Sequence, residues 1–216
     1  MRRVALLLAL CLASAALPAA AGPWPREKGR GFLSVSVSDD RNEVYGEYGL
    51  GRGWTAGAKL AFSGGGSDVR PNEAQMLVWR GMQRGAGGAA LSFGLAAGVR
   101  AAGSDGPLRP VGAAMLAWGH GFGGPRAPWV TAEAALERGP GLHGTKLDLT
   151  YGMRPGKRWL AMAQVQAGQW NDGPVLARLE LSGGLRLGRA HLLVQPSASL
   201  RGPRDRRLRL SLWAEV

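Results

Sequence analysis

Three histidines are the candidate general bases of this 216-residue chain: His120, His143 and His191. Hydrolysis of a lipid ester would need a serine nucleophile within hydrogen-bond reach of one of them. His191 lies on the same face of an alternating stretch as Ser197 and Ser199. Six extended residues separate His191 from Ser197, which is about 20 Å and too far for proton transfer. A serine from another part of the chain stays open as a partner, so lipid chemistry is kept as a minor alternative.

Familiar catalytic and metal-binding motifs are absent from the sequence. It contains neither G-x-S-x-G nor H-E-x-x-H. The glycine-rich stretch Gly49–Gly53 precedes no helical pattern that would hold a phosphate, so it indicates a tight turn. The single cysteine, Cys11, excludes a disulfide scaffold and a cysteine-based zinc site. We therefore expect no catalytic residue, no metal and no cofactor.

The charged residues are unequally divided between the two signs. Lys and Arg number 27 and Asp and Glu number 15, which gives a formal net charge of +12. Charged and amide side chains recur on the polar face of alternating stretches, so we predict that they line an enclosed lumen. The charged members of this predicted lining are Glu47, Lys59, Arg100, Glu133, Lys146, Asp148, Arg178, Glu180, Arg207 and Arg209.

Two interpretations of the predicted lining remain open. In the first, the lumen is filled with water, and the mixed charge creates a transverse field that selects solutes. In the second, residues such as Lys146 and Asp148, or Arg178 and Glu180, find partners across strands and fill the interior without leaving a pore. A barrel of twelve strands leaves more interior room than a barrel of eight strands, in which side chains already fill the interior.

The elements that must position these residues are β-strands, because apolar side chains recur at every second position. The stretch Leu91–Arg100 has this pattern, and the stretches 54–63, 146–151, 175–182 and 207–216 repeat it. One face of each stretch is apolar, and the other is small, polar or charged.

Turn-rich segments divide the chain into about twelve strands, with ten as the alternative count. The predicted strands begin near residues 31, 43, 54, 73, 89, 108, 129, 145, 158, 175, 190 and 206. An even number of strands joined by short turns predicts an all-β fold, a closed antiparallel up-and-down transmembrane β-barrel. Pro196 removes one backbone donor from its strand, so we expect a bulge there or a shorter strand.

Aromatic residues concentrate at the barrel end where the chain would begin. Aromatic rings favour a membrane interface because they combine an apolar body with a polar edge or tip. The ten residues predicted near this end are Phe32, Tyr48, Trp54, Trp79, Trp118, Phe122, Trp129, Tyr151, Trp159 and Trp213. The alternation places Trp129 and Trp213 on the polar face, so these two are predicted to point inward.

Residues 1–21 have the pattern of a secretory signal peptide. Met1–Arg3 is positively charged, residues 4–17 are uncharged and mostly apolar, and Ala19–Ala21 provides the small residues of a cleavage site. Cleavage after Ala21 would leave residues 22–216 as a single barrel domain, with residues 22–30 as a lead-in. That domain has 25 basic and 15 acidic residues, a formal charge of +10.

These features together resemble the outer-membrane β-barrel proteins of Gram-negative bacteria. The segment Leu208–Val216 is similar to their C-terminal assembly signal, although Val216 stands where an aromatic residue is usual. The segment Gly22–Phe32 is similar to the mature start of small uncharacterised alphaproteobacterial exported proteins. The resemblance implies an outer-membrane location, insertion by the barrel-assembly machinery, and contact with outer-membrane lipid and lipopolysaccharide. It transfers no catalytic residue.

A cluster of arginines near the last turn is the candidate contact for lipopolysaccharide phosphate. It contains Arg201, Arg204 and Arg206, and the guanidinium group suits bidentate contact with phosphate. A solvated hairpin tip is the alternative. Nucleic acid is not expected as a partner, because export separates the chain from it and the other basic residues are dispersed.

The leading functional hypothesis is a narrow porin-like channel for small anionic solutes. The alternatives are a closed structural barrel without transport activity, a soluble periplasmic ligand-binding barrel, and a lipid-modifying barrel enzyme. The soluble form would have its apolar face inside instead of outside. The oligomeric state is left open.

Overall fold

The computed structural model describes residues 23–63, 71–83, 88–101, 106–124 and 126–216. These residues form twelve β-strands joined by turns. The strands are β1 Gly31–Ser38, β2 Arg41–Gly51, β3 Trp54–Ser63, β4 Pro71–Gln83, β5 Ala89–Ala101, β6 Leu108–Gly121, β7 Trp129–Gly139, β8 Leu142–Gly156, β9 Trp159–Trp170, β10 Leu176–Leu187, β11 Ala190–Arg201 and β12 Arg206–Glu215.

Each strand pairs with its neighbours in the sequence, and β1 pairs with β12 to close the sheet. Every pairing is antiparallel. At the closing seam Val35 lies opposite Leu212. Gly31 and Val216 exchange two backbone hydrogen bonds of 2.7 and 2.9 Å beside this seam. The predicted closed up-and-down barrel of twelve strands is confirmed, and closure leaves no unpaired sheet edge.

The two ends of the barrel differ in what they hold. We call the end where β1 begins and β12 ends the terminal rim; it also holds the turns that follow β2, β4, β6, β8 and β10. We call the other end the distal rim; it holds the turns that follow the odd-numbered strands.

The outer face of the barrel is apolar. Leu60, Leu95, Leu149 and Leu210 are 42–62 % exposed, although each lies within a strand. Leu179 has the same orientation as the exposed Leu181, because the buried Glu180 lies between them. Exposure of so many large apolar side chains suits an apolar surrounding medium and would be unfavourable in water.

The inner face is polar. Gln75, Ser92, Glu180 and Gln195 are all buried, and each has at least one exposed apolar neighbour in its strand. The twofold period of a strand therefore separates the two faces as the alternation predicts.

Five aromatic residues form an outward band near the terminal rim, and four others point inward there. The outward residues are Tyr48, Trp54, Trp118, Tyr151 and Trp159, all exposed. The inward residues are Phe32, Trp79, Trp129 and Trp213. The predicted inward orientation of Trp129 and Trp213 is thus observed, and the inward rings belong to the lumen instead of the outer face.

The expectation of a bulge or shortened strand at Pro196 is wrong. Strand β11 is continuous over its 12 residues, and Pro196 is one of them. Its register with β10 is the same on both sides, with Glu180 opposite Ser197 and Gly183 opposite Val194. The pairs on either side hold the strand in place, so the loss of one donor is accommodated locally.

Strand boundaries depart from the predicted starts by at most three residues. Strand β8 shows the largest difference, because it begins at Leu142 instead of near residue 145. Backbone pairing continues past the last alternating side chains, as in the pair Gly139 and Leu142.

The predicted signal peptide, residues 1–21, lies outside the described residues. A search of the described residues for a helix long and apolar enough to span a membrane finds none.

Candidate functional site

The central cavity is a space of about 420 Å³ inside the barrel, bounded mainly by the inner faces of β1 to β8. Both signs of charge reach its wall among the described residues. The acidic ones are Glu43, Glu47, Glu133, Glu137 and Asp148, and the basic ones are Arg26, Lys59 and Lys146. The wall of this cavity is therefore not basic, although the chain as a whole has a large positive charge.

Glu73 is the centre of an ion-pair network near the distal rim. Its side chain is 2 % exposed and contacts Lys59 Nζ at 2.5 Å, Arg41 Nη2 at 2.9 Å and Arg100 Nη2 at 3.2 Å. Arg100 also contacts Glu137 at 2.5 Å. A buried carboxylate is tolerated here because three cations compensate it. The network joins β2, β3, β4, β5 and β7 along one side of the lumen wall.

Lys146 lies where the central cavity meets a second cavity nearer the distal rim. Its Nζ is 2.6 Å from Asp148 Oδ2. Glu133 is directly opposite Asp148 in the β7–β8 register, so the two carboxylates are neighbours on the inner face. Asp148 Oδ1 is buried and has no hydrogen-bond partner within the described part of the chain.

The second cavity, which we call the distal vestibule, has a volume of about 310 Å³. Four basic residues and one acidic residue line it within the described part of the chain. They are Lys146, Arg178, Arg201 and Arg207, with Asp205 as the acid. Gln166, Ser199 and Trp170 add polar atoms and an aromatic ring. The lining of the distal vestibule therefore has an excess of positive charge, although Asp148 pairs with Lys146 and Asp40 pairs with Arg207.

Asp205 binds two of these arginines. Its Oδ2 is 2.7 Å from Arg178 Nη2 and 2.6 Å from Arg207 Nε. Hydrogen bonds from Arg178 and Arg207 hold the pKa of the Asp205 carboxyl below its usual range. Asp205 therefore stays ionised at neutral pH, and Arg178 also donates to Ser197 Oγ at 3.0 Å.

The two halves of the lumen wall differ in charge. Among the described inward residues of β8 to β12, seven are basic and three are acidic. They are Lys146, Arg154, Arg178, Arg186, Arg201, Arg207 and Arg209 against Asp148, Glu180 and Glu215. On β2 to β7 the described inward residues are Arg41, Lys59, Arg100 and Arg109 against Glu43, Glu47, Glu73, Glu133 and Glu137. The difference creates a field across the lumen.

An apolar cluster occupies the lumen near the terminal rim. Trp129, Leu160 and Leu193 are buried in it, and Trp24, Met162 and Trp213 pack against them. Leu193 is 0 % exposed. Arg154 lies over the Trp129 ring, with 5.3 Å from its Cζ to the ring centroid. The interior of this end is thus packed with side chains.

Residues that precede β1 enter the barrel at the same end. We call Pro23–Lys28 the strap. Arg26 is 8 % exposed; its Nε contacts Glu47 at 2.5 Å and its Nη1 contacts Glu215 at 3.2 Å. The Arg26 backbone N–H donates to Thr55 Oγ1 at 3.0 Å. The strap therefore crosses the terminal mouth of the lumen and is held by polar contacts to β2, β3 and β12.

The ten residues predicted to line a lumen all lie on the inner face. Lys146 and Asp148 are in contact, as noted above. Glu180 contacts Arg209 at 3.7 Å and accepts a hydrogen bond from Gln195 at 3.0 Å, while Arg178 binds Asp205. The partners of Arg178 and Glu180 thus come from other strands and from a turn.

The sequence interpretation missed several residues of the lumen wall. They are Glu43, Glu73, Glu137 and the strap residue Arg26. Glu73 stands two positions from Gln75, on the same face of β4, so extending the alternation to the strand end would have found it. Arg26 belongs to no alternating stretch. The signal for its position is indirect, since inward Gly49, Gly81 and Gly119 leave space at the terminal rim.

The arginines proposed for phosphate contact have different orientations. Arg201 lines the distal vestibule, whereas Arg206 is exposed on the outer face of β12. Arg204 is exposed in the turn between β11 and β12. Only Arg204 and Arg206 are therefore placed to meet a molecule outside the barrel.

The three histidines are far apart and lie in different settings. His191 is inward at the start of β11, whereas Ser197 and Ser199 lie toward the other end of that strand. His120 packs edge-on against Phe122, with ring centroids 4.8 Å apart. His143 Nε2 is 3.1 Å from Asp172 Oδ2 at the distal rim. No group of three His, Cys, Asp or Glu side chains suited to a metal ion occurs within the described ranges.

The barrel is similar in structure to several solved outer-membrane proteins. A KdgM porin in complex with disordered oligogalacturonate matches with a TM-score of 0.64 and 8 % identity, over 86 % of this chain and 98 % of that one. The NanC porin matches with a TM-score of 0.61 and 9 % identity, over 85 % and 98 %. An outer membrane channel from Pseudomonas putida F1 matches with a TM-score of 0.63 and 10 % identity, over 93 % and 100 %.

These likenesses establish the fold alone, because sequence identities this low do not show a shared function. No protein-family model and no curated protein matches the sequence.

Proposed function

We propose that this chain is an outer-membrane channel of narrow bore that passes small anionic solutes, which enter at the distal rim. The observation that carries this proposal is the distal vestibule, whose lining contains four basic residues and one acidic residue. A concave site with an excess of positive charge raises the local concentration of anions. Lys146 lines both the distal vestibule and the central cavity, so it is placed to bind an anion that moves from one to the other.

The apolar outer face supports the membrane part of the proposal. Lipid has no groups that pair with a free backbone, and a closed barrel with apolar residues outside meets that requirement. The similarity to the KdgM and NanC porins and to the Pseudomonas putida channel is consistent with an outer-membrane location. Within this proposal the signal peptide is cleaved, the distal rim is extracellular, and Arg204 and Arg206 contact lipopolysaccharide phosphates.

The anionic class of solute has a parallel in one of the similar structures. The KdgM porin was solved with oligogalacturonate, whose name denotes a chain of sugar carboxylates. We extend to this chain only the acidic character of the solute. Arg178, Arg201 and Gln166 would provide the hydrogen-bond donors for its carboxylates or phosphates.

Charge reversal at Arg201 tests the direction of selectivity. We expect the refolded protein to give conductance steps in planar bilayers and to prefer chloride over potassium in a KCl gradient. Arg201→Glu should shift the reversal potential toward cation preference, because it places a carboxylate in the distal vestibule. The matched control is Arg206→Glu, which makes the same charge change on the outer face of the same rim and should leave the reversal potential unchanged.

Equal shifts in the two variants would contradict a role for the distal vestibule, since they would reflect only the net charge of the rim. A wild-type barrel that prefers cations would overturn the anionic part of the proposal.

A closed structural barrel is the second candidate. It is favoured by the ion-pair network around Glu73, which links β2 to β5 and β7 along one side of the wall, and by the strap across the terminal mouth. This candidate predicts no conductance from any variant that folds.

The soluble alternative requires apolar side chains inside, whereas Leu60, Leu95 and Leu149 are exposed on the outside. If the chain were a lipid-modifying enzyme that used His143, the substitution His143→Ala would change the mass of lipid A in cells.

A further inference from the structure

We propose that the strap, residues Pro23–Lys28, is a displaceable seal on the terminal mouth, and that full conduction requires its release. This inference rests on the channel function proposed above. The strap is the only described part of the chain that enters the lumen without belonging to a strand or a turn between strands. Its position, its attachment and its hinge each support a movable element.

The barrel wall is shaped to receive the strap. A side chain at Gly119 would place its Cβ 2.6 Å from Pro23 Cγ, and one at Gly81 would place its Cβ 2.7 Å from Pro25 Cδ. At Gly49 a Cβ would collide with the backbone of Glu27. Proline rings and backbone atoms cannot turn aside as a flexible side chain can. The glycines therefore form a groove that fits the seated strap.

The strap closes the lumen together with the apolar cluster. Trp24 packs against the cluster formed by Trp129, Leu160 and Leu193. Pro23 borders the central cavity from the terminal side. Solute that reached the central cavity from the distal vestibule would therefore meet the strap and the apolar cluster before the terminal mouth.

The described ion pairs of the strap all belong to one side chain. Arg26 binds Glu47 on β2 and Glu215 on β12, and its guanidinium lies over Phe32 at 4.8 Å from the ring centroid. Within the described residues, no backbone-to-backbone hydrogen bond joins residues 23–28 to a strand. The contacts of Arg26 can break without opening any strand pair, so the strap can leave while the barrel stays closed.

A turn at the end of the strap acts as the hinge. Arg30 N donates to the Glu27 carbonyl oxygen at 3.0 Å, and Gly29 has φ of 79°. Beyond the turn, Gly29 N donates to Gly49 O and Gly49 N donates to Arg30 O, at 3.0 and 2.8 Å. The chain is therefore fixed from Gly29 onward, and residues before the turn can swing as a unit.

Single-channel recording of the refolded chain tests the seal. We expect Arg26→Gln to raise the conductance several-fold, because it removes both ion pairs of the strap. Gly81→Ala leaves every strap residue intact and should also raise the conductance, because the added Cβ collides with Pro25. Simple narrowing of the bore by that methyl group would have the opposite sign. The control is Gly183→Ala, where a Cβ meets nothing within 4 Å, and it should conduct like the wild type.

A disulfide makes the test reversible. Residues 22–216 contain no cysteine, so the double substitution Pro25→Cys with Gly81→Cys introduces the only pair in them. A Cβ at Gly81 lies 3.1 Å from Pro25 Cβ, which is shorter than the roughly 3.5–4.5 Å of a disulfide, so a small outward shift of the strap allows the bond to form. Combined with Arg26→Gln, the oxidised pair should return the conductance to the wild-type level, and reduction should raise it again.

The outcomes separate the seal from the channel. Equal conductance in all folded variants would overturn the seal and leave the channel function intact. The absence of conductance in every folded variant, reduced or oxidised, would overturn both and favour the closed structural barrel. Folding is checked independently by the heat-dependent gel mobility of the barrel, so a variant that fails to fold is not counted.

Discussion

Replacement of Glu73 by glutamine lowers the free energy of unfolding by about 3–5 kcal/mol, the range expected when one partner of a buried ion network is removed. Glu73 is 2 % exposed and compensates Lys59, Arg41 and Arg100. An amide of the same shape keeps the packing but leaves three cations facing one another, with Arg100 still paired to Glu137. The measurement is urea unfolding of the barrel from lipid vesicles, followed by tryptophan fluorescence.

Glu43→Gln is the matched control for Glu73→Gln. Among the described residues Glu43 forms an ion pair only with Arg41, at 3.3 Å, and its side chain is about a third exposed. Pairs of this kind contribute roughly 0–1 kcal/mol. If both substitutions lowered the free energy of unfolding equally, Glu73 would not be the centre of the network. If neither did, the network would contribute no stability.

Substitution of Leu95 by arginine is expected to cost about 2–4 kcal/mol of unfolding free energy in vesicles, the cost of a basic side chain on the lipid face at the bilayer centre. Leu95 lies in the middle of β5 and is 62 % exposed on the outer face. The cost arises from contact with lipid, so it should be much smaller in a short-chain detergent micelle, where water reaches the side chain more easily.

Gln164→Arg provides the comparison for the substitution at Leu95. Gln164 lies in the middle of β9 on the inner face, where it accepts a hydrogen bond from Gln166 at 3.0 Å. A polar lumen receives the guanidinium with little penalty, so we expect a loss below about 1 kcal/mol, as for surface substitutions elsewhere. A reversal of the two results would show that the polar face meets lipid and would contradict the membrane proposal.

Strand positions and faces were predictable because they depend on local pattern. In β5 the alternation of Leu91, Phe93 and Leu95 with small residues determines which side chains point outward, whatever the neighbouring strands are. Lys146 and Asp148 were also predictable as a pair, since residues two apart on a strand share a face. Their Nζ and Oδ2 atoms are indeed in contact.

The strap and the Glu73 network depend on contacts that the local pattern does not contain. Arg26 binds Glu47 and Glu215, which are 21 and 189 positions away in the sequence. The contact between Arg26 and Glu215 forms only after β1 pairs with β12 and closes the barrel. The overall positive charge was also misleading for the central cavity, because much of it lies in the distal vestibule and in exposed turns.

The unequal charge of the two lumen walls affects how a passing molecule is oriented. A zwitterion or a sugar acid has its lowest energy with its carboxylate toward β8 to β12 and its donor groups toward the acidic wall that includes Glu133. It would travel in one preferred pose instead of tumbling. Mirror-image solutes would then present different groups to the same wall, and the barrel could pass one enantiomer faster than the other.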